Sequence, residues 1–474
     1  MNELLARTHW VRADILFPVG LLVAAIVTVH VLLTKREVAS AVGWIGLAWF
    51  APFMGGFLYF VLGINRVARR ARRMRARPRQ RGRRKTANSP LAEDRLRQLE
   101  HGVGRLTHRT AEPGNAFETF HDGDEAYPPM LAAIAAAQHS VGLSTYIMRA
   151  DEAGNRFIDA LAAEHQRGVA VRVLVDGVGS GWVLSPAYHR LRRAGVPVAR
   201  FMHSPLPWRM PFLNLRTHKK ILVVDGQTGF TGGMNIASEN VMALKPPVPV
   251  QDTHFRVRGP VVAQLTEAFT QDWSFATNED LDGDAWFPTI EPAGGTTARV
   301  ITSGPDQDIE KIEFVVLQAI ACARESVSVI TPYFLPDERL VTALSLAAIR
   351  GVAINIVLPA KSDHRLVDWA ARANVDPMLK DGCRLWLGPP PFRHSKTMVV
   401  DSEWCLIGSS NWDMRSFRLN FELCMEVYDR DLAASLSTLI ERNRGTPLTR
   451  ADIEGRPALA RLRDAGVRLL LPYL

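Results

Sequence analysis

One pattern occurs twice in this chain, and it limits the possible folds more than any other feature. HKKILVVDGQTGFTGGMN runs from His218 to Asn235, and HSKTMVVDSEWCLIGSSN runs from His394 to Asn411, 176 residues later. Both copies read His, one residue, Lys, four residues, Asp, then small residues and an Asn. The surroundings repeat as well. SVGLSTYIM at 140, a helical run through FIDALAAEHQ and VAVRVLVDG at 169 precede the first copy, while SVSVITPYF at 326, ALSLAAIRG and VAINIVLPA at 352 precede the second. Apolar β-rich runs alternating with Ala/Leu-rich helical runs make an α/β sheet covered by helices. Recurrence of the whole order predicts a duplicated α/β unit, residues 116–285 and 286–474, with the Gly/Pro-containing stretch 282–297 as the join. One active site built from two similar halves is the expectation.

KILVV and KTMVV look like strands entering tight turns. Residues two apart on a strand face the same way, so His218 and Lys220 share one space, as do His394 and Lys396. Asp225 and Asp401 complete the catalytic motif, but they lie seven residues from their histidines. That odd number puts them on the opposite face of a straight strand, as positioning or structural partners. Imidazole serves as nucleophile or proton donor near neutral pH, and lysine supplies positive charge for phosphate oxygens. Gly232, Gly233, Gly408, Ser409 and Ser410 let backbone amides approach an oxyanion, and Asn235 and Asn411 add donors. These residues describe a phosphoryl-transfer site with no obvious metal cage, and no cofactor is expected. Cys322, Cys383, Cys405 and Cys424 are far apart with no CxxC, so they read as thiols in a reducing compartment.

The other constraint is at the amino end. Ile15 to Thr34 is an apolar run of the roughly 20 residues that a bilayer-spanning helix needs. A second run, Val38 to Ile64, reaches spanning length too, which predicts a helical hairpin within residues 1–65. Trp44, Trp49 and Tyr59 are read either as interfacial anchors or as packing. Residues 66 to 85 then carry twelve Lys/Arg and no acid; without them the net charge of +9 becomes −3. A uniformly basic nucleic-acid surface is therefore excluded, and the charge belongs to one juxtamembrane block. That block orients both chain ends and everything downstream to the cytoplasm, and it can also gather anionic lipid. Residues 66–115 are read as this polybasic segment and a linker, with some helix around Leu91 to Leu106. The last stretch, ARLRDAGVRLLLPYL, reads as an amphipathic membrane-surface helix or a core helix, more as the latter.

The paired motifs resemble those of the phospholipase D superfamily. FTGGMNIA, DTHFRVRGP at 252, TSGPD at 302, TPYFLPDERL at 331, NWDMRSFRLNFE at 411 and the hairpin are similar to its bacterial cardiolipin synthases. The resemblance implies two phospholipase D-like α/β/α domains sharing an interfacial site, in a multi-pass protein of the bacterial inner membrane. It implies that His218 attacks phosphatidylglycerol to form a phosphohistidine, that His394 protonates the departing glycerol, and that a second phosphatidylglycerol then takes the phosphatidyl group. Lys220, Lys396, Asn235, Asn411, Gly233 and Ser409 would hold phosphate oxygens, and the acids Asp252 and Glu422 would orient the histidines. Phosphatidylglycerol and other anionic membrane lipids are the implied partners, with no nucleic acid. A hydrolase using water, a transferase with another acceptor and a non-catalytic lipid scaffold are the competing readings.

Overall fold

The computed structural model describes residues 2–35, 38–63, 94–203, 215–305 and 308–469. The polybasic run therefore lies outside the described residues. The chain divides into two compact units, Met1–Arg73 and Met74–Leu474.

In the first unit a helix spans Asn2–Thr34, and its Ile15–Thr34 portion is long and apolar enough to cross a membrane. The second apolar run is helical in pieces, Val38–Phe50 and Pro52–Leu58, followed by a π-helical turn Tyr59–Gly63. The break falls at Ala51, where Pro52 has no N–H to continue the ladder. Phe50 is 94% exposed and Leu33 81% exposed, so apolar side chains face outward. Tyr59 is buried instead; its hydroxyl meets His30 Nδ1 at 2.7 Å and its ring meets Trp44 edge-on. Trp44 and Tyr59 therefore pack within the hairpin.

In the second unit the strands of the first half are β1 (Glu112–His121), β2 (Ser140–Thr145), β3 (Ala170–Asp176), β4 (Val198–Phe201), β5 (Ile221–Val224), β6 (Thr228–Gly232), β7 (Val250–Gln251) and β8 (Thr253–Arg258). The second half supplies β9 (Thr296–Ser303), β10 (Ser326–Ile330), β11 (Phe334–Leu335), β12 (Ala353–Pro359), β13 (Arg384–Gly388), β14 (Phe392–Arg393), β15 (Thr397–Val400), β16 (Trp404–Gly408), β17 (Trp412–Asp413), β18 (Glu422–Tyr428) and β19 (Thr446–Leu448). One 15-stranded sheet runs β19-β13-β12-β10-β15-β16-β18-β9-β1-β8-β6-β5-β2-β3-β4. Outward from the β1–β9 seam, β1, β8, β6, β5, β2, β3 and β4 match β9, β18, β16, β15, β10, β12 and β13. The duplication read from the motifs is thus a duplication of the whole sheet, and the two motif strands, β5 and β15, hold equivalent places in it.

These strands are buried on both faces, as sheets covered by helices on both sides must be. Leu222 and Val224 join Phe157 and Leu161 in one core, while Val223 joins Phe269 and Trp273 in another; Met398, Val399 and Val400 split in the same way. Asp151 and Asp337 cap the matching helices Glu152–Gln166 and Glu338–Ile349 through Gly154 and Leu340 N–H groups. Both helices stop at the repeated RGVA, where Gly168 and Gly351 take φ of 93° and 95°.

Two expectations change. The helix expected around Leu91 to Leu106 is present as Asp94–Thr107, but it is not part of a linker: it buries Leu99 and Val103 in the second-half core, and buried Arg299 bonds the Glu100 and Arg109 carbonyls while pairing with Glu426 at 2.6 Å. The carboxyl-terminal helix Ala458–Arg468 is not a core helix, because Leu459 and Leu462 are 81% and 70% exposed. Its apolar residues had suggested burial, but few of them find a neighbouring layer.

Candidate active site

Two short parallel contacts between the halves build the site. Thr217 bridges Phe421, with His218 N–H donating to Phe421 O at 2.8 Å and Phe421 N–H to Arg216 O at 2.8 Å. In the matching place β14 pairs with β7, and His394 N–H donates to Gln251 O at 2.7 Å. The residues after Phe421 and Gln251 are Glu422 and Asp252. Each histidine is therefore set beside the acid of the other half: His218 Nδ1 lies 3.0 Å from Glu422 Oε2, and His394 Nδ1 lies 2.8 Å from Asp252 Oδ2. With Nδ1–H turned to a carboxylate, Nε2 carries the lone pair. The two rings stand 6.4 Å apart and nearly perpendicular, on the scale of one tetrahedral group held between them.

Lys220 Nζ donates to His218 O at 2.7 Å and Lys396 Nζ to His394 O at 2.5 Å, so each lysine folds back over its own histidine. His218, His394 and both lysines are nearly buried, and both acids are fully buried. Burial, then the neighbouring Lys396 charge, brings Lys220 down to about 7; burial brings Lys396 down to about 8. Two crowded ammonium groups in a dry site are poised to receive an anion.

The two acids differ in charge. Burial raises the Asp252 carboxyl, but Lys396 and the His394 bond outweigh it and hold the group down to about 2. Burial dominates at Glu422 and pushes it up to about 7 against the pull of Lys220. His394 thus faces a fixed carboxylate, which opposes the burial and Lys396 charge that lower its pKa. His218 lies well below its ordinary value through burial and then Lys220 and Lys396. His218 is therefore the neutral imidazole. His394 is the one better able to hold a proton once an anion offsets the lysines.

The remaining expected residues divide. Asn235 accepts the Ile147 N–H through Oδ1 at 3.3 Å, leaving its NH2 group as the donor it can offer. Asn411 of the second copy is also buried, and its Oδ1 has no hydrogen-bond partner among the described residues. Gly233 and Ser409 do not offer phosphate donors. Their N–H groups bond Thr253 O and Leu423 O at 3.2 and 2.9 Å, and the Ser409 hydroxyl donates to Glu422 Oε2 at 2.5 Å. Gly233 has a different use: a Cβ there would meet Asp252 Oδ1 at 2.4 Å, so glycine makes room for the carboxylate. Asp225 and Asp401 are engaged away from the imidazoles. Asp225 accepts the N–H groups of Gln138, His139 and Ser140, and Asp401 those of Arg324, Glu325 and Ser326, pinning the starts of β2 and β10.

Two aromatic residues were missed. The Tyr146 ring meets His218 edge-on at 5.1 Å and lies under the Lys220 ammonium. Tyr333 stands against His394 at 6.3 Å, its hydroxyl donating to Asp363 at 2.5 Å. Their signal was present, since STYIM and TPYFL each carry Tyr just past matching strands.

Comparison with known proteins agrees with this architecture. Residues 130–273 and 316–444 match the family described as cardiolipin synthase, PLD-like domain. The chain is 34% identical over 454 residues to a cardiolipin synthase of Geobacillus thermodenitrificans, covering 93% of this chain and 90% of that one. It is 31% identical over 484 residues to the major cardiolipin synthase ClsA of Bacillus subtilis, covering 97% and 98%. A solved phosphatidylserine synthase of Haemophilus influenzae shares the fold, with a TM-score of 0.61 at 13% identity over 80% of this chain and all of that one. The chain belongs to the phospholipase D-like cardiolipin synthase family, and it is a phosphatidyltransferase.

Proposed function

We propose that this enzyme makes cardiolipin by moving a phosphatidyl group from one phosphatidylglycerol to another, through a phosphohistidine on His218. Nε2 of neutral His218 attacks phosphorus, the bond from phosphorus to the head-group oxygen breaks, and His394 gives that oxygen its proton. Glycerol leaves. His394 Nε2 then takes the proton of the terminal hydroxyl on a second phosphatidylglycerol, whose oxygen bonds to phosphorus as the N–P bond breaks. Lys220 and Lys396 stabilise the charge on the phosphate oxygens in both steps, and the Asn235 and Asn411 amides assist. An incoming phosphodiester offsets the two lysines, which favours the protonated His394 that the first step requires. The observation that carries this reading is the crossed pairing, with His394 on an Asp252 held down to about 2 and His218 on a Glu422 that burial pushes up to about 7.

The two amino-terminal apolar runs form a membrane hairpin with both ends cytoplasmic, so the site works on lipid at the inner leaflet. The basic run 66–85 fixes this orientation and gathers anionic lipid.

The test is lipid product analysis of the detergent-solubilised chain with phosphatidylglycerol as sole substrate. Cardiolipin and free glycerol in equal amounts are expected. Phosphatidic acid as the sole lipid product would make the enzyme a hydrolase, and no turnover with phosphatidylglycerol would redirect the search to another lipid pair.

A further inference from the structure

The two halves match closely around the histidines, and this makes one mismatch informative. Residues two before His218 and His394 point the same way as the histidines in an extended chain. In the first half that residue is Arg216; in the second it is Phe392, whose ring lies 6.1 Å from His394. Four residues past each motif asparagine the halves differ again, with Glu239 after Asn235 and Arg415 after Asn411. Glu239 pairs with Arg149 at 3.2 Å.

The two unmatched arginines come from different halves and meet at the same bridge. Arg216 O accepts the Phe421 N–H, and Arg415 O accepts the N–H groups of Leu419 and Asn420, so Arg415 sits on the turn that delivers Phe421 and Glu422. Arg216 bears on Arg415 as a like charge, Asp413 and Asp176 bear on Arg415 as opposite charges, and both arginines act on the Tyr146 hydroxyl beside His218. The carboxylate nearest Arg216 is Asp176, at 4.0 Å from Nε. Its oxygens already accept N–H groups from Val178, Gly179 and Thr217. The two partly buried guanidinium groups bear on each other as like charges, and an anion that reaches both would add to the neutralisation that Asp176 and Asp413 already give.

We propose that Arg216 and Arg415 bind the phosphodiester of the acceptor lipid. This rests on the transfer reading above and deepens it. The scissile phosphate belongs between the histidines, and glycerol leaves without charge, so the acceptor is the reactant that brings a second phosphate. Its attacking hydroxyl is separated from its own phosphate by one three-carbon arm. Arg216 is two extended residues from His218, about 6.6 Å along the chain, which is the span of such an arm. A hydrolase, or a transferase with a neutral acceptor, would have no use for the pair.

The test sets a charged acceptor against an uncharged one in the full chain in detergent, with phosphatidylglycerol as donor. Labelled glycerol reports head-group exchange, and labelled glycerophosphoglycerol, the deacylated acceptor, reports transfer to an anion. The parent is expected to prefer the anionic acceptor. In Arg216→Gln and Arg415→Gln the ratio of anionic to glycerol transfer should fall at least about tenfold, through KM for the anionic acceptor. Lysine at either position should restore part of the ratio. An unchanged ratio overturns the proposal, whether both rates persist or both fall together. Excess inorganic phosphate separates the two sources of the same anion: a lipid site keeps its preference for micellar phosphatidylglycerol, whereas its abolition would assign the pair to free phosphate and overturn the lipid assignment. Failure of the parent to transfer to either acceptor would instead sink the transferase reading itself.

Discussion

The His218 and His394 sites are built alike and charged differently. Each histidine bonds a fully buried acid from the opposite half, and each lies under its own lysine. Yet Asp252 is held down to about 2 and Glu422 is pushed up to about 7. The balance of burial against neighbouring charge produces the difference. Glycine at 233 leaves room for the Asp252 carboxylate beside Lys396 and His394, whose attraction outweighs its burial, whereas at Glu422 burial outweighs the pull of Lys220 and of the hydrogen bonds donated by the Ser409 hydroxyl and by Asn420 at 3.1 Å. A duplicated frame thus supplies two equivalent imidazoles, and the neighbours of their acids give them unequal protonation. Neither half has a complete site, because each acid acts across the seam.

The largest effect should come from the histidines themselves. His218→Ala is expected to lower all turnover by at least about 10⁴-fold. His394→Ala should abolish cardiolipin formation yet still release p-nitrophenol from a phosphodiester with that leaving group, because an activated leaving group needs no acid. Equal loss of that release in both variants would erase the distinction. Next come the acids. Asp252→Asn should cost roughly a hundredfold or more in kcat and Glu422→Gln about tenfold.

Their stabilities should move in opposite ways. The Asp252 pKa is depressed, so its contribution is present above the unfolded value near 4 and is lost as pH falls through about 2; Asp252→Asn should remove about 2 kcal/mol at neutral pH. The Glu422 pKa is raised, so ionising it costs the parent stability as pH rises from about 4.5 through about 7; Glu422→Gln should unfold no earlier than the parent at pH 8. Thermal unfolding across pH checks both.

A smaller contrast lies in the small residues. Gly233→Ser should disable the enzyme through collision with Asp252, while Ser409→Gly should cost kcat only about tenfold or less. The smallest difference between halves is expected at the motif aspartates. Asp225→Ala and Asp401→Ala each strand backbone donors and should lose about 1–3 kcal/mol. kcat per folded molecule should stay nearly unchanged in both variants, as active-site titration would reveal.

Much of this was legible in the sequence. Two motifs with the same spacing identified the duplication, and strand parity put each lysine with its histidine. Parity also separated Asp225 and Asp401 from the imidazoles, though not what they hold, since the amides they accept come from the distant starts of β2 and β10. The crossing of acids was not legible. It depends on Thr217 meeting Phe421 and Arg393 meeting Gln251, contacts between residues that no local pattern connects. Nor could the sequence say that Gly233 and Ser409 spend their amides within the sheet, or that Leu459 and Leu462 remain uncovered.

The unequal charge of the two halves is tested most directly by locating the covalent intermediate. The chain would be mixed briefly with a phosphorus-labelled phosphodiester substrate and quenched in alkali, and its peptides mapped by mass spectrometry. The account predicts phosphate on the peptide containing His218, absent from His218→Ala and retained in His394→Ala with an activated substrate. Label on His394, or shared equally between the two, would contradict it.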